Sequence, residues 1–169
     1  MTYDERIYNK AIADGMPPIL STLIVAQCRG ESENYTSNVF KSCTNLNGYK
    51  WVGQTIALGP CLKSPEGDYY AKYASIEDSV HELTNWIKRR QAAGYFPKDL
   101  STITTAEQYA KYLISDPAHH YFGTPLSSYI QMLTSQLVNI GNFVTSNSGA
   151  VALIVIISLG IIYRKKLFG

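Results

Sequence analysis

Residues Ala26 to Lys50 read A-Q-C-R-G-E-S-E-N-Y-T-S-N-V-F-K-S-C-T-N-L-N-G-Y-K, and the segments on either side are arranged to hold them. The run continues an apolar stretch, Ile19 to Ala26, that has the length and burial pattern of a central helix. Glu31 falls where that helix gives way to a polar, loop-forming segment. A carboxyl at such an edge sits half in an apolar wall and half in a cleft, the setting in which a Glu pKa rises far enough to serve as an acid near neutral pH.

Working outward towards the N-terminus, Thr2 and Glu5 have capping-box spacing and open a helix from Tyr3 to about Asp14, with Ile7, Ala11 and Ile12 on its apolar side. Gly15 ends it, and Pro17-Pro18 starts the apolar helix from about Pro18 to Arg29. Towards the C-terminus, helical periodicity disappears between Glu33 and Tyr73. Runs such as Lys50 to Ile56 predict two or three small strands among loops. Ser75 with Asp78 caps a helix from Ile76 to about Ala93 that buries Ile76, Val80, Leu83 and Ile87. Trp86 falls on the same side and reads as a core residue. Thr104 with Glu107 caps another helix to about Ile114, and Thr124-Pro125 opens a fifth. Five helices around a small β region make an α+β fold with helices predominating.

With 169 residues there is room for one domain with a true core. Net charge is only +2 and the cations are scattered, which argues against a nucleic-acid partner. Cys28, Cys43 and Cys61 lack C-x-x-C spacing, so no zinc site or redox dithiol is indicated. One disulfide, Cys43 to Cys61, is open to the chain in an oxidising space, and three reduced, partly buried thiols are an equal reading. Adjacent His119 and His120 have no matching Asp or Cys spacing for a metal, and no metal or organic cofactor is called for.

Three blocks carry a family likeness. Ala26-Gln27 followed by Glu31-Ser32, then Asn45-Leu46-Asn47-Gly48-Tyr49-Lys50, resemble the A-Q-x-x-x-E-S and N-L-F-G-I-K signatures of the peptidoglycan glucosaminidases of glycoside hydrolase family 73, which include flagellar rod-cap enzymes and autolysins. Tyr70 to Ser79, Y-A-K-Y-A-S-I-E-D-S, is similar to the family's F-R-x-Y-x-S-x-x-x-S. The resemblance spans roughly 8–133 and implies a lysozyme-like domain whose β lobe lies in the 33–73 region. It further implies cleavage of the β-1,4 bond between N-acetylglucosamine and N-acetylmuramic acid in peptidoglycan strands, with Glu31 as the acid.

Glu33 competes with Glu31 for that role from two residues away. The second carboxylate implied by the resemblance falls on Glu66, with Asp68 as the alternative, although Ser64-Pro65-Glu66-Gly67-Asp68 equally has the composition of an exposed turn. Without a second carboxylate, the substrate's own acetamido group would assist. Tyr121, in Y-F-G-T-P, resembles the family's Y-A-T-D-P block and is implied to orient the reacting sugar; Phe122 and a shifted Thr-Pro depart from that pattern. Asn45 and Gly48 are expected to shape the cleft floor, and Tyr70 and Tyr73 to contact substrate. A lytic transglycosylase, and a non-catalytic wall-binding or virion structural protein of the same fold, are the competing readings.

After Leu133 the character changes, dividing the chain into a domain over 1–133, a polar linker or helix extension over 134–148, and a membrane anchor over 149–166. Gly149 to Tyr163 is an unbroken apolar run of 15 residues closed by Arg164-Lys165-Lys166. As a helix it covers about 22 Å, short of the roughly 30 Å hydrocarbon core unless the flanking cations snorkel. The basic end predicts that side in the cytoplasm and the domain outside, while the charged Met1 to Lys10 stretch does not read as a signal peptide. A phage lysis or entry enzyme, carried to the wall by a membrane of host or virion, reconciles the two expectations.

Overall fold

A computed structural model of the chain describes residues 1–117 and 121–147. The fold is α+β and mainly helical. Its helices are α1 (Tyr3–Ala13), α2 (Pro18–Glu31), α3 (Asn38–Cys43), α4 (Ile76–Ala92), α5 (Ala106–Leu113) and α6 (Leu126–Asn147). Two strands, β1 (Gly59–Lys63) and β2 (Tyr69–Lys72), form the β lobe.

Helix α2 is the hub, because its residues from Leu20 to Cys28 are all buried and α1, α5 and α6 pack around it. A helix apolar on every side has no stable place except inside other helices. Helix α1 begins with the expected reciprocal cap, Thr2 accepting from the Glu5 N–H and Glu5 from the Thr2 N–H. It ends at Gly15, whose φ of +84° is left-handed. Its sides are tied to its neighbours by polar pairs: Arg29 on α2 reaches Asp4 at 2.7 Å, and Glu77 on α4 accepts two 2.7 Å bonds from Arg6. Helix α5 is capped one residue later than its sequence suggests, by Thr105 with Gln108.

The region 33–73 departs from expectation in two places. Helix α3 stands where strands and loops are predicted, capped by Ser37 and buried through Phe40 and Cys43. Six residues are too few for a 3.6-residue period to show in sequence. Conversely, Lys50 to Ile56 forms no strand: Lys50 makes one bridge to Tyr70, and then the side chain of Gln54 takes over the backbone groups of Lys50 and Val52. The sheet is the antiparallel pair of β1 and β2, in register Gly59 with Lys72 and Pro60 with Ala71, irregular between Pro60 and Lys63. The Cys43–Cys61 disulfide forms, with Cα atoms 5.9 Å apart, and fastens α3 to β1; Cys28 is a buried free thiol.

Residues 134–147 continue α6 without a break, and Leu137 and Ile140 are buried in the core. The packed body therefore runs beyond 133, and of the two readings of 134–148, linker or helix extension, the part through Asn147 is helix. No helix among the described residues is long and apolar enough to cross a membrane. The 149–166 segment and His119-His120 lie outside the described residues.

Candidate active site

The last turn of α2 delivers Glu31 to a cleft of about 700 Å³ between the β lobe and the start of α6. Directly after it the backbone does something costly. Glu33, Asn34 and Tyr35 take φ values of +53°, +55° and +67°, three left-handed residues in succession without a glycine. Each costs roughly 1–2 kcal/mol in an L-residue. The turn persists because Ser32, fully buried, over-determines it: its hydroxyl donates to Cys28 O at 2.6 Å and accepts from Tyr35 N at 3.0 Å, while its carbonyl accepts from Thr36 and Ser37 N–H. Tyr35 then reaches back to donate its hydroxyl to Asp4. The result points Glu31 inward and leaves Glu33 exposed at the cleft edge.

Glu31 is half-buried and accepts a 2.7 Å hydrogen bond from the hydroxyl of Tyr129 on α6. Burial lifts its carboxyl above the ordinary glutamate value, and the Tyr129 hydrogen bond pulls the other way without cancelling the rise. Tyr129 is itself held by ring stacking on Phe122, with centroids 3.7 Å apart and planes 5° from parallel. A Cβ on Gly30 would stand 1.9 Å from Sδ of Met132 on α6, so a larger residue there makes the flexible thioether swing aside.

Glu66 also lines the cleft, on the turn between β1 and β2, so the turn reading and the cleft reading both hold. Its carboxylate accepts from Lys50 Nζ at 2.8 Å, and this hydrogen bond holds its pKa down to about 2. Asp68 is exposed on the same turn and does not line the cleft.

Tyr121 lines the cleft from the other wall, edge-on to Trp86 at 5.3 Å and to Tyr49 at 5.9 Å. Its hydroxyl is buried and has no hydrogen-bond partner among the described residues. Burial drives its pKa well above the ordinary tyrosine value, so it stays neutral at any physiological pH.

Asn45 is buried and its amide is fully spent on backbone: it donates to Tyr49 O and Ala71 O and accepts from Asn47 N and Tyr49 N. It therefore builds the floor rather than touching a ligand. Gly48, at φ +64°, supplies the left-handed turn of that loop. Tyr70 lines the cleft, but Tyr73 does not: it is 1% exposed and packed in the core. A three-residue spacing puts two side chains on one side of a helix and on opposite sides of an extended chain, and this chain is extended.

Tyr129, Lys50 and Phe122 are among the cleft residues to which sequence reasoning gives no role. Nothing local marks Tyr129, because its partnership with Glu31 spans 98 positions. Among the described residues no group of His, Cys, Asp and Glu is placed to hold a metal ion. Comparison of the chain with family models, with curated proteins and with solved structures finds no match in any of the three.

Proposed function

We propose that the protein is a glycoside hydrolase of lysozyme-like architecture that cleaves peptidoglycan between N-acetylglucosamine and N-acetylmuramic acid, with Glu31 as its acid. One observation carries the reading: a half-buried carboxyl with a raised pKa, at the end of the central helix, facing an open cleft and hydrogen-bonded on Oε1 by a neutral tyrosine. With Oε1 engaged, the proton belongs on Oε2, from which it passes to the glycosidic oxygen as the C–O bond breaks. The departing sugar leaves with that proton, the substrate's acetamido oxygen closes on the anomeric carbon as positive charge develops there, and water then adds to that carbon, displacing the acetamido oxygen and returning a proton to Glu31.

Glu66 is ionised throughout the working range, and a carboxylate with a pKa near 2 is a weak proton acceptor. Assistance by the substrate's acetamido group fits this cleft better than a water activated by Glu66. The same feature lends support to the second reading, a lytic transglycosylase working with one Glu. The apolar segment 149–166 is proposed as the membrane anchor that holds the enzyme near the wall.

The test is mass spectrometry of fragments released from purified peptidoglycan by the protein and by its Glu31→Gln variant. Reducing N-acetylglucosamine ends that vanish in the variant support the proposal. Anhydro-muramic ends move the protein to the transglycosylases, and release undiminished by Glu31→Gln removes Glu31 from the chemistry.

A further inference from the structure

Lys50 is the one Lys or Arg among the described residues lining the cleft, whose lining also includes three carboxyl groups, Glu31, Glu33 and Glu66. Its ammonium lies 4.2 Å from the centre of the Tyr70 ring and 2.8 Å from the Glu66 carboxylate. The two contacts differ in permanence. Tyr70 belongs to β2, whose neighbour Ala71 is anchored through its N–H to Tyr49 O, so the ring is a fixed seat for the cation. Glu66 sits on a turn tip with 67% of its side chain exposed. An ion pair with so exposed a partner is weak, so another carboxylate can take its place at little cost.

The geometry points to Lys50 as a specificity residue that reads a carboxylate on the ligand, with Glu66 as the internal stand-in for that group. The ligand class rests on the hydrolase reading above: a peptidoglycan strand whose peptide stems carry free carboxylates, preferred over uncharged polymers of β-1,4-linked N-acetylglucosamine. Exchanging one carboxylate for another keeps Lys50 paired and returns the exposed Glu66 carboxylate to water. A neutral strand offers nothing to displace Glu66.

The experiment is calorimetric titration of the full-length Glu31→Gln protein with a soluble disaccharide-peptide fragment of peptidoglycan, and with the same fragment after its carboxylates are amidated. The free-acid form is expected to bind about tenfold more tightly at low salt, as one charge-assisted contact gives. The preference should shrink with rising ionic strength. Adding Lys50→Gln should abolish it, and adding Lys50→Arg should retain it. Equal affinity for the two forms, or a preference that survives Lys50→Gln, overturns the inference. Binding of neither form overturns it together with the hydrolase reading. Selective binding by Glu31→Gln, combined with no digestion of peptidoglycan by the unsubstituted protein, overturns the hydrolase reading alone and leaves the role of Lys50 standing.

Discussion

The Glu31 and Tyr129 pair sets how readily the Glu31 carboxyl ionises and hence, in the proposed hydrolase, the pH at which its acid works. Burial favours the protonated carboxyl, and the Tyr129 hydroxyl, donating to Oε1, favours the ionised one. Removing the donor therefore moves the Glu31 pKa further up. In a Tyr129→Phe variant the alkaline limb of the pH–activity profile should shift to higher pH while maximal turnover falls about 10–100-fold, because Oε2 is no longer singled out for the proton. Rates measured across pH 4–9 check this, and an alkaline limb that moves down or stays put would detach Tyr129 from the titration of Glu31. Tyr129 is itself driven well above its ordinary pKa by burial and by the adjacent Glu31, so it stays a donor across that range.

The β lobe is held less by its sheet than by its attachments. Two short strands with irregular register are marginal alone. The lobe is secured by the Cys43–Cys61 bridge to α3, by Tyr73 N–H donating to Cys43 O, and by Leu46 N–H donating to Ser79 on α4. A bridge closing a loop of 18 residues contributes about 3 kcal/mol through the unfolded chain. Cys43→Ala/Cys61→Ala should therefore lower unfolding free energy by about that amount in urea titrations. The amides of Tyr69 to Lys72 should lose hydrogen-exchange protection before those of α2. Uniform loss across the molecule would mean that the lobe and the helical body unfold as one unit.

The molecule as a whole is a helical body cross-linked by buried polar contacts. Asp14, at the end of α1 with 7% of its side chain exposed, accepts from Lys10 at 2.6 Å, from Thr84 at 2.7 Å and pairs with His81 Nδ1 at 2.9 Å, the last two on α4. Burial raises its pKa, but the bonds from Lys10, His81 and Thr84 outweigh burial, and the net value lies below the ordinary 3.8. A depressed folded pKa means that this stabilisation is fully present above 3.8 and is lost as pH falls through the lower folded value. Asp14→Asn should cost about 1–3 kcal/mol at pH 7, since it leaves the buried Thr84 hydroxyl and the half-buried Lys10 and His81 facing an amide. The gap to the unsubstituted protein should close as pH drops below about 4. Denaturant curves at a series of pH values test both statements, and a gap independent of pH would assign the loss to packing alone.

Most of the helices were legible because each carries its own signals. The capping box of α1, the proline start of α2 and the spacing of Ile76, Val80, Leu83 and Ile87 are all local, and so is the place of Glu31 at the edge of the apolar run. Helix α3 was missed because six residues hold too little pattern, and Lys50 to Ile56 was misread because β-branched and aromatic residues there serve a loop that Gln54 closes. Tyr73 was misplaced because facing depends on whether the chain is extended or coiled, which its neighbours settle. Tyr129 at Glu31, Lys50 on Tyr70 and the tethering of Glu66 arise from long-range packing of α2, α6 and the β lobe. Local free energies of capping and burial are written along the chain. The pairing of side chains distant in sequence exists only once those elements have packed.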